Sequence, residues 1–168
     1  IVKNCPTSII ASSGVDALSH SYEALMSNSS NLLSDTIALE SIKLIHENLE
    51  EAVFKRNNLY ELYNLFLGSL FGGLAFNNGG LVAAHSIAYT YAHDYGLSHG
   101  VSCALALPYV ISFNLPVCKN KFRRVNDFLN KESIQQIPIN VRDLIKSLYL
   151  PTSLKEIRVS EDEIDGFV

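Results

Sequence analysis

The sequence predicts an all-α domain of several packed helices, and three observations favour this fold class. Apolar residues recur at helical spacing along most of the chain, and no alternating run pairs convincingly as strands. Helix-start and helix-stop residues separate the periodic segments. A length of 168 residues and a hydrophobic content of 48% fit one globular domain with a single core.

The first three predicted helices are long. Ser12 or Ser13 caps the first, and its apolar stripe recurs every three to four residues at Val15, Leu18, Tyr22 and Leu25. The second helix spans about 31–54 and the third about 59–77. The Asn-Asn-Gly-Gly run at 77–80 predicts a break after the third helix.

Shorter helices are predicted in the second half of the chain. The fourth covers about 81–95 and stops at Gly96, a typical C-terminal glycine. The fifth begins near Ser98, and we expect Pro108 to interrupt and restart it. Two more helices are predicted at about 119–129 and 139–148.

Charge and cysteine usage argue against several classes of protein. The net charge is −4 and no long Lys/Arg run is present, so we expect no nucleic-acid partner. The longest apolar stretch, 62–76, is too short and too interrupted to span a membrane. Three cysteines without a C-x-x-C spacing argue against a disulfide framework and a cysteine-based zinc site. We also expect no signal peptide at the N-terminus. We therefore expect a reducing, cytoplasmic location.

Four residues form a candidate metal site: Asp16, His20, His85 and His99. Asp16 and His20 are four residues apart, so on a helix they project from one face. His85 and His99 would lie about 21 Å apart on one straight helix, but Gly96 lets the chain turn between them. One carboxylate and three imidazoles can hold a divalent metal with a position open for substrate, which is the arrangement of a Lewis-acid site.

Chance spacing is the alternative explanation, because D-x-x-x-H is common and most histidines are simply hydrogen-bonded. We interpret His46, beside Glu47, and His93, beside Asp94, in that way.

Two long segments resemble the signatures of the iron-containing (group III) alcohol dehydrogenases. GVDALSHSYE at 14–23 resembles the first signature. The second is similar to the sequences at 80–88, 96–101 and 107–114. Order and separation agree, and the resemblance extends over about 6–167.

The resemblance implies a multi-helix domain of the dehydroquinate-synthase C-terminal type, with Asp16, His20, His85 and His99 as metal ligands. It also implies Fe²⁺, which donor softness does not distinguish from Zn²⁺. NAD(P) would be bound mainly by an N-terminal α/β domain absent from these residues, so the fragment alone should be inactive. The implied partners are that domain, a small alcohol or aldehyde, and a second copy in a homodimer.

Two aromatic residues acquire roles from the resemblance. Phe76 falls where the family places an aromatic residue of the substrate pocket, although core packing explains it equally well. Tyr89 stands where many members carry a further histidine, so we assign it a catalytic hydrogen bond to the substrate oxygen. Relatives that reduce aldehydes with an anionic group, such as phosphonoacetaldehyde, look similar at this position, where they carry a tyrosine. The resemblance therefore argues against a simple alcohol as the substrate. Asp16 argues against the metal-free maleylacetate reductases, which lack it.

Two other functions remain open. One is a related enzyme that reduces polyols or cyclises sugar phosphates, and the other is a stand-alone helical metal-binding or interaction domain. The chain starts at Ile1 and ends just after a capping box formed by Ser160 and Glu163. We therefore expect 1–168 to be one helical metal-binding domain truncated at both ends.

Overall fold

The computed structural model describes residues 4–55 and 59–159, and the predicted capping box of Ser160 and Glu163 lies outside them. Within these residues the chain is all-α, as predicted, with two short 3-10 turns and no strand. The helices are α1 (Thr7–Met26), α2 (Leu32–Phe54), α3 (Leu59–Gly79), α4 (Ala83–Tyr95), α5 (His99–Asn114), α6 (Lys119–Leu129) and α7 (Ile137–Ser147).

The start of α2 agrees with the prediction, and a capping side chain marks it. The Asn31 side chain accepts hydrogen bonds from the amides of Leu33 and Ser34 at 3.0 and 3.1 Å. Ser34 Oγ accepts one in return from the Asn31 amide at 2.9 Å, which completes a capping box. α2 therefore begins where the sequence predicts.

Two predicted details of the helices are wrong. α1 begins at Thr7 and is not capped by Ser12 or Ser13. Pro6 is its N-cap and makes no side-chain hydrogen bond, because the fixed φ of proline suits the start of a helix. α5 runs through Pro108 without interruption. A proline inside a helix costs about 3 kcal/mol. Burial of neighbours such as Leu107 and Ile111, worth about 1.5–3 kcal/mol each, offsets this cost.

α1 lies at the centre of the domain, in contact with α2, α3 and α5, while α4 packs chiefly on α5. The predicted stripe on α1 is confirmed, because its four residues are 0% exposed: Val15, Leu18, Tyr22 and Leu25. The face of α1 beside this stripe meets the start of α4 and the start of α5. Polar side chains collect at that junction.

α3 carries a row of exposed apolar residues on its outer side, including Tyr63, Phe66 and Leu70. Among the described residues, no single helix is long and apolar enough to cross a membrane. Only α3 and α4 taken together, bent by 111° between them, meet the length and composition required.

Candidate metal centre

Three helices contribute to the polar junction. α1 supplies Asp16, α4 supplies His85 and α5 supplies His99, the first residue of that helix. Gly96 ends α4 in the left-handed conformation, with φ of +63°, which lets the chain turn back within three residues. This turn brings together His85 and His99, as the sequence predicts.

α5 approaches α1 closely because the residue after His99 is glycine. A Cβ on Gly100 would lie 2.3 Å from the carbonyl oxygen of Ser12. Any side chain at this position would push the start of α5 away from α1. Gly100 therefore holds the His99 imidazole next to the carboxylate of Asp16.

Four ligand-type atoms converge at the junction. Asp16 Oδ1 lies 3.5 Å from His85 Nε2 and 3.4 Å from His99 Nε2. Cys103 Sγ lies 3.7 Å from His99 Nε2. Donor atoms of these four residues all lie within 4.8 Å of one another. Among the described residues, this is the group of histidine, cysteine and acidic side chains that could hold a metal ion.

Glu23 fixes the orientation of His85. Its carboxylate is fully buried. It accepts hydrogen bonds from the backbone amides of Val82, Ala84 and His85 at 3.0, 2.9 and 3.3 Å, and it therefore caps the positive N-terminal end of α4. The same carboxylate accepts a hydrogen bond from Nδ1–H of His85. Nε2 therefore keeps its lone pair and points at Asp16, as in the carboxylate–histidine–metal arrangement of metal sites.

The residues present fit a bound cation. Asp16 Oδ1 and His85 Nε2 are buried and have no hydrogen-bond partner. Both are acceptors when Nδ1 of His85 carries the proton, and two facing acceptors without a donor are costly in a buried site. A divalent ion among these atoms would satisfy both of them.

The charges of the cluster respond to the same geometry. Burial alone would raise the pKa of Asp16, but the adjacent His85 side chain and the nearby imidazoles of His20 and His99 lower it below its usual value. Burial alone would lower the pKa of His85, but the nearby side chains of Asp16, Cys103 and Glu23 raise it. Both shifts show that this position favours a positive charge, whether a proton on His85 or a metal ion.

His20 lies at the edge of the cluster and is not a member of the group of four. Its ring stacks on that of His85, with centroids 4.5 Å apart, and burial lowers its pKa. The ring of Phe76 also stacks on that of His20, with centroids 5.2 Å apart. Phe76 is 37% exposed, and its role in a substrate pocket stays a prediction. The role of His20 as a ligand stays a prediction.

Tyr89 borders the open side of the centre. Its ring centroid lies 5.6 Å from that of His99, and its side chain is 67% exposed. The remaining histidines lie elsewhere, as predicted: His93 bonds to Asp94 at 2.7 Å, and His46 bonds to the Tyr22 hydroxyl at 3.1 Å.

Two residues of the junction were missed by the sequence analysis. Cys103 follows His99 by four residues, the same spacing that draws attention to Asp16 and His20. Glu23 follows Asp16 by seven residues, which is two helical turns along the same face. Both spacings can be read from the sequence. Neither of them shows that α4 begins against the face of α1 that carries Asp16 and Glu23.

Comparison with known proteins agrees with the geometry. Residues 10–168 match the model of the Fe-containing alcohol dehydrogenase family, C-terminal. The 1,3-propanediol dehydrogenase of Klebsiella pneumoniae is 30% identical over 164 residues, which are 93% of this chain and 42% of that protein. The corresponding enzyme of Citrobacter freundii is 36% identical over 128 residues, or 76% of this chain and 33% of that protein.

Solved structures show the same fold. An alcohol dehydrogenase from Oenococcus oeni matches with a TM-score of 0.91 and 27% identity, covering 97% of this chain and 45% of that one. The chain thus spans less than half the length of these relatives, which are larger proteins.

Proposed function

The chain belongs to the iron-containing alcohol dehydrogenase family, and from that premise we propose that it is the metal-binding part of an NAD(P)-dependent alcohol dehydrogenase or aldehyde reductase. Relatives with dehydrogenase activity in their names match most of the chain. One observation carries the proposal for this chain itself. Two buried acceptors, Asp16 Oδ1 and His85 Nε2, lie 3.5 Å apart without a hydrogen-bond donor for either.

Asp16, His85 and His99 are the residues that would hold the metal, with His20 as the fourth predicted ligand. A bound Fe²⁺ or Zn²⁺ would act as a Lewis acid on the substrate oxygen during hydride transfer. Glu23 keeps His85 in the tautomer that can donate its Nε2 lone pair. Phe76 supplies an apolar wall beside His20. The Tyr89 hydroxyl donates a hydrogen bond to the substrate oxygen.

NAD(P) would be held mainly by an N-terminal domain outside this chain. Dinucleotide-binding folds place the pyrophosphate at a strand–turn–helix junction, and the described residues form no strand. We therefore expect the isolated chain to bind NAD(P)H weakly or not at all in a fluorescence titration. Tight, saturable binding would contradict this division of labour.

Metal analysis of the purified chain tests the metal site directly. We expect about one Fe or Zn per chain, and loss of that metal when Asp16 and His85 are both changed to alanine. His93→Ala is the matched control, because its side chain is 89% exposed and bonded only to its neighbour Asp94. Metal that persists in the double variant would show that the ligands lie elsewhere.

Activity must be measured on the full-length protein. We expect NAD(P)-dependent oxidation of a small alcohol that disappears in the Asp16→Ala/His85→Ala variant and persists in His93→Ala. A full-length protein that binds metal but oxidises no alcohol and reduces no aldehyde would favour the stand-alone metal-binding function instead. Conversion of a sugar phosphate without net change in NAD would favour the cyclising relatives.

A further inference from the structure

We propose that the outer face of α3 is the surface on which the N-terminal NAD(P)-binding domain of the full-length protein docks. We call this face the α3 stripe and define it by Leu59, Tyr63, Phe66, Leu70 and Leu74. The inference rests on the proposed function in one respect, because its occupant is the nucleotide-binding domain proposed above. It adds the place where that domain meets this chain, at the edge of the metal centre.

The α3 stripe is apolar and faces outward. Its members follow one another at intervals of three or four residues, so they form one row along the helix. They are between 43% and 65% exposed, and Glu61 is the only charged residue in the whole of α3. A solvent-facing helix surface normally carries charged and polar residues, so a continuous apolar row indicates a surface that packs against a partner.

An apolar groove runs beside the α3 stripe. It lies between the start of α1 and the middle of α3, where Cys5 and Ile9 face Leu65 and Phe66. Its volume is about 200 Å³. Small-molecule sites usually have roughly 300–1,000 Å³, so this groove suits a single apolar side chain of a protein partner better than a separate ligand.

Gly73, beside the α3 stripe, indicates that the partner comes close to the helix backbone. The other glycines of α3 are explained by contacts inside the domain, because a Cβ on Gly68, Gly72 or Gly79 would lie 2.8–3.1 Å from atoms of α1 or α2. A Cβ on Gly73 would instead lie in open space, with no atom of another described segment within 4 Å. Glycine inside a helix is less stable than alanine. A domain docked on α3 would give this position a reason to remain small.

The C-terminal end of the α3 stripe points to the identity of the partner. Three residues after Gly73 comes Phe76, whose ring stacks on that of His20 beside the metal centre. A partner that covers the stripe therefore reaches the edge of this centre. Hydride transfer requires the same of the domain that holds the nicotinamide, because the reacting atoms must be in contact.

The start of the chain also favours the N-terminal domain as the occupant. Cys5 precedes the first residue of α1 and lines the groove, so chain that precedes α1 leaves the domain beside the α3 stripe. This chain matches the C-terminal model of its family and spans less than half the length of its relatives. A domain joined at this point needs no long linker to reach α3.

Hydroxyl-radical footprinting of the full-length protein measures which side chains are covered, without any variant. Tyr63 and Phe66 should react several-fold more slowly than Tyr149, an exposed tyrosine that follows α7. The urea-unfolded protein gives the intrinsic reactivity of each side chain. The protection should persist at protein concentrations where sedimentation shows a monomer.

The footprint separates the proposal from its alternatives. Tyr63 and Phe66 that react as fast as Tyr149 would overturn the docking surface, while metal content and alcohol oxidation in the same sample test the proposed function independently. Protection that disappears when the protein is diluted to a monomer would assign the α3 stripe to a second copy of the chain. Protection that requires phospholipid vesicles would assign it to a membrane. Either result would overturn the proposal.

Substitutions in the full-length protein test what docking does for the reaction. Phe66→Asp places a charge in the groove and should lower kcat by up to about 100-fold with unchanged metal content, because a small displacement of the reacting groups costs that much. Gly73→Leu should act in the same direction and Gly73→Ala less. Phe113→Asp, at an exposed position on α5, is the matched control and should leave kcat unchanged. Wild-type kcat in both Phe66→Asp and Gly73→Leu would overturn the proposal.

Discussion

Two histidine–tyrosine pairs in this domain show how differently the same side chains can be used. Between α1 and α2, the Tyr22 hydroxyl bonds to His46 Nε2 at 3.1 Å, and Tyr22 is 0% exposed. Between α4 and α5, the rings of Tyr89 and His99 lie 5.6 Å apart, and Tyr89 is 67% exposed. The first pair is closed, because Tyr22 is buried and hydrogen-bonded to His46. The second pair borders Asp16 Oδ1 and His85 Nε2, two acceptors without a hydrogen-bond partner.

The neighbouring charges explain the difference. Burial lowers the pKa of His46 to about 4, and no carboxylate opposes that effect. His99 instead faces the Asp16 carboxylate at 3.4 Å, beside the unpartnered Nε2 of His85. A histidine in this domain thus points to a metal site only when a carboxylate and unsatisfied metal-donor atoms surround it.

Removing each histidine should separate the two regions most clearly. His99→Ala should weaken metal binding by more than about 100-fold, because a ligand is lost and outer partners alone contribute about 10–100-fold. His46→Ala should leave the metal stoichiometry unchanged. Elemental analysis after dialysis against buffered chelator measures both. Equal metal loss in the two variants would mean that the comparison reflects global unfolding.

The Tyr22–His46 pair should contribute a pH-dependent part of the folding stability. His46 is neutral in the folded chain, and its pKa lies below the unfolded value of about 6.5, so its contribution is present above pH 6.5 and is lost as the pH falls toward 4. The groups that face it are Tyr22 from α1 and Lys131 after α6. We expect the free energy of unfolding to fall by about 2 kcal/mol between these pH values. The full difference between the unfolded and folded pKa of His46 would give roughly 3 kcal/mol, and partial solvent contact of the ring reduces it.

Denaturant unfolding of the metal-free chain at several pH values measures this loss. His46→Asn should have a flatter profile between pH 4 and 6.5 than the wild type. The difference between the two chains isolates the histidine from the carboxylates, which both share. Parallel profiles would show that His46 already carries its proton in the folded chain.

Glu23 should matter to the open region through His85. Glu23→Gln keeps an oxygen for the amides of Val82 and Ala84 but removes the charge that orients Nδ1 of His85. We expect metal affinity to fall by about 10–100-fold, measured by chelator competition. Glu47→Gln, an exposed change on α2, is the control. Unchanged affinity in Glu23→Gln would show that the carboxylate only caps α4.

The two tyrosines should give the smallest and most selective effects. Tyr89→Phe in the full-length protein should lower kcat/KM for the preferred aldehyde by about 1–3 kcal/mol, with metal content and folding unchanged. Tyr22→Phe should instead lower folding stability by about 1 kcal/mol, because the partner of His46 is lost.

A further variant tests the substrate class. Tyr89→His should move preference toward simple uncharged alcohols if this position selects the substrate. Kinetics of Tyr89→Phe that match the wild type would show that the hydroxyl serves only solvent contact. Loss of activity in Tyr22→Phe at a temperature where it remains folded would contradict the division between the two pairs.

Much of the fold could be predicted because its signals are local. Apolar residues at helical spacing located α1 and α2, and the structure shows a capping box of Asn31 and Ser34 at the start of α2. The N-cap of α1 was predicted six or seven residues late, at Ser12 or Ser13 instead of Pro6, because Pro6 leaves no side-chain cap to recognise. α5 continues through Pro108 because residues such as Leu107 and Ile111 are buried against other helices. That burial cannot be read from the sequence of α5 alone.

The sequence by itself determined the helical class and the turn at Gly96, because spacing and glycine conformation are properties of neighbouring residues. Spacing and the family resemblance predicted a site of Asp16, His20, His85 and His99, but helix packing sets which of these side chains meet. Only the tertiary structure decided how those side chains are completed. Glu23 caps α4 and orients His85 across 62 residues of chain, and Cys103 enters the junction because α5 packs on α1. Such contacts join helices that are distant in sequence, and packing alone sets their distances.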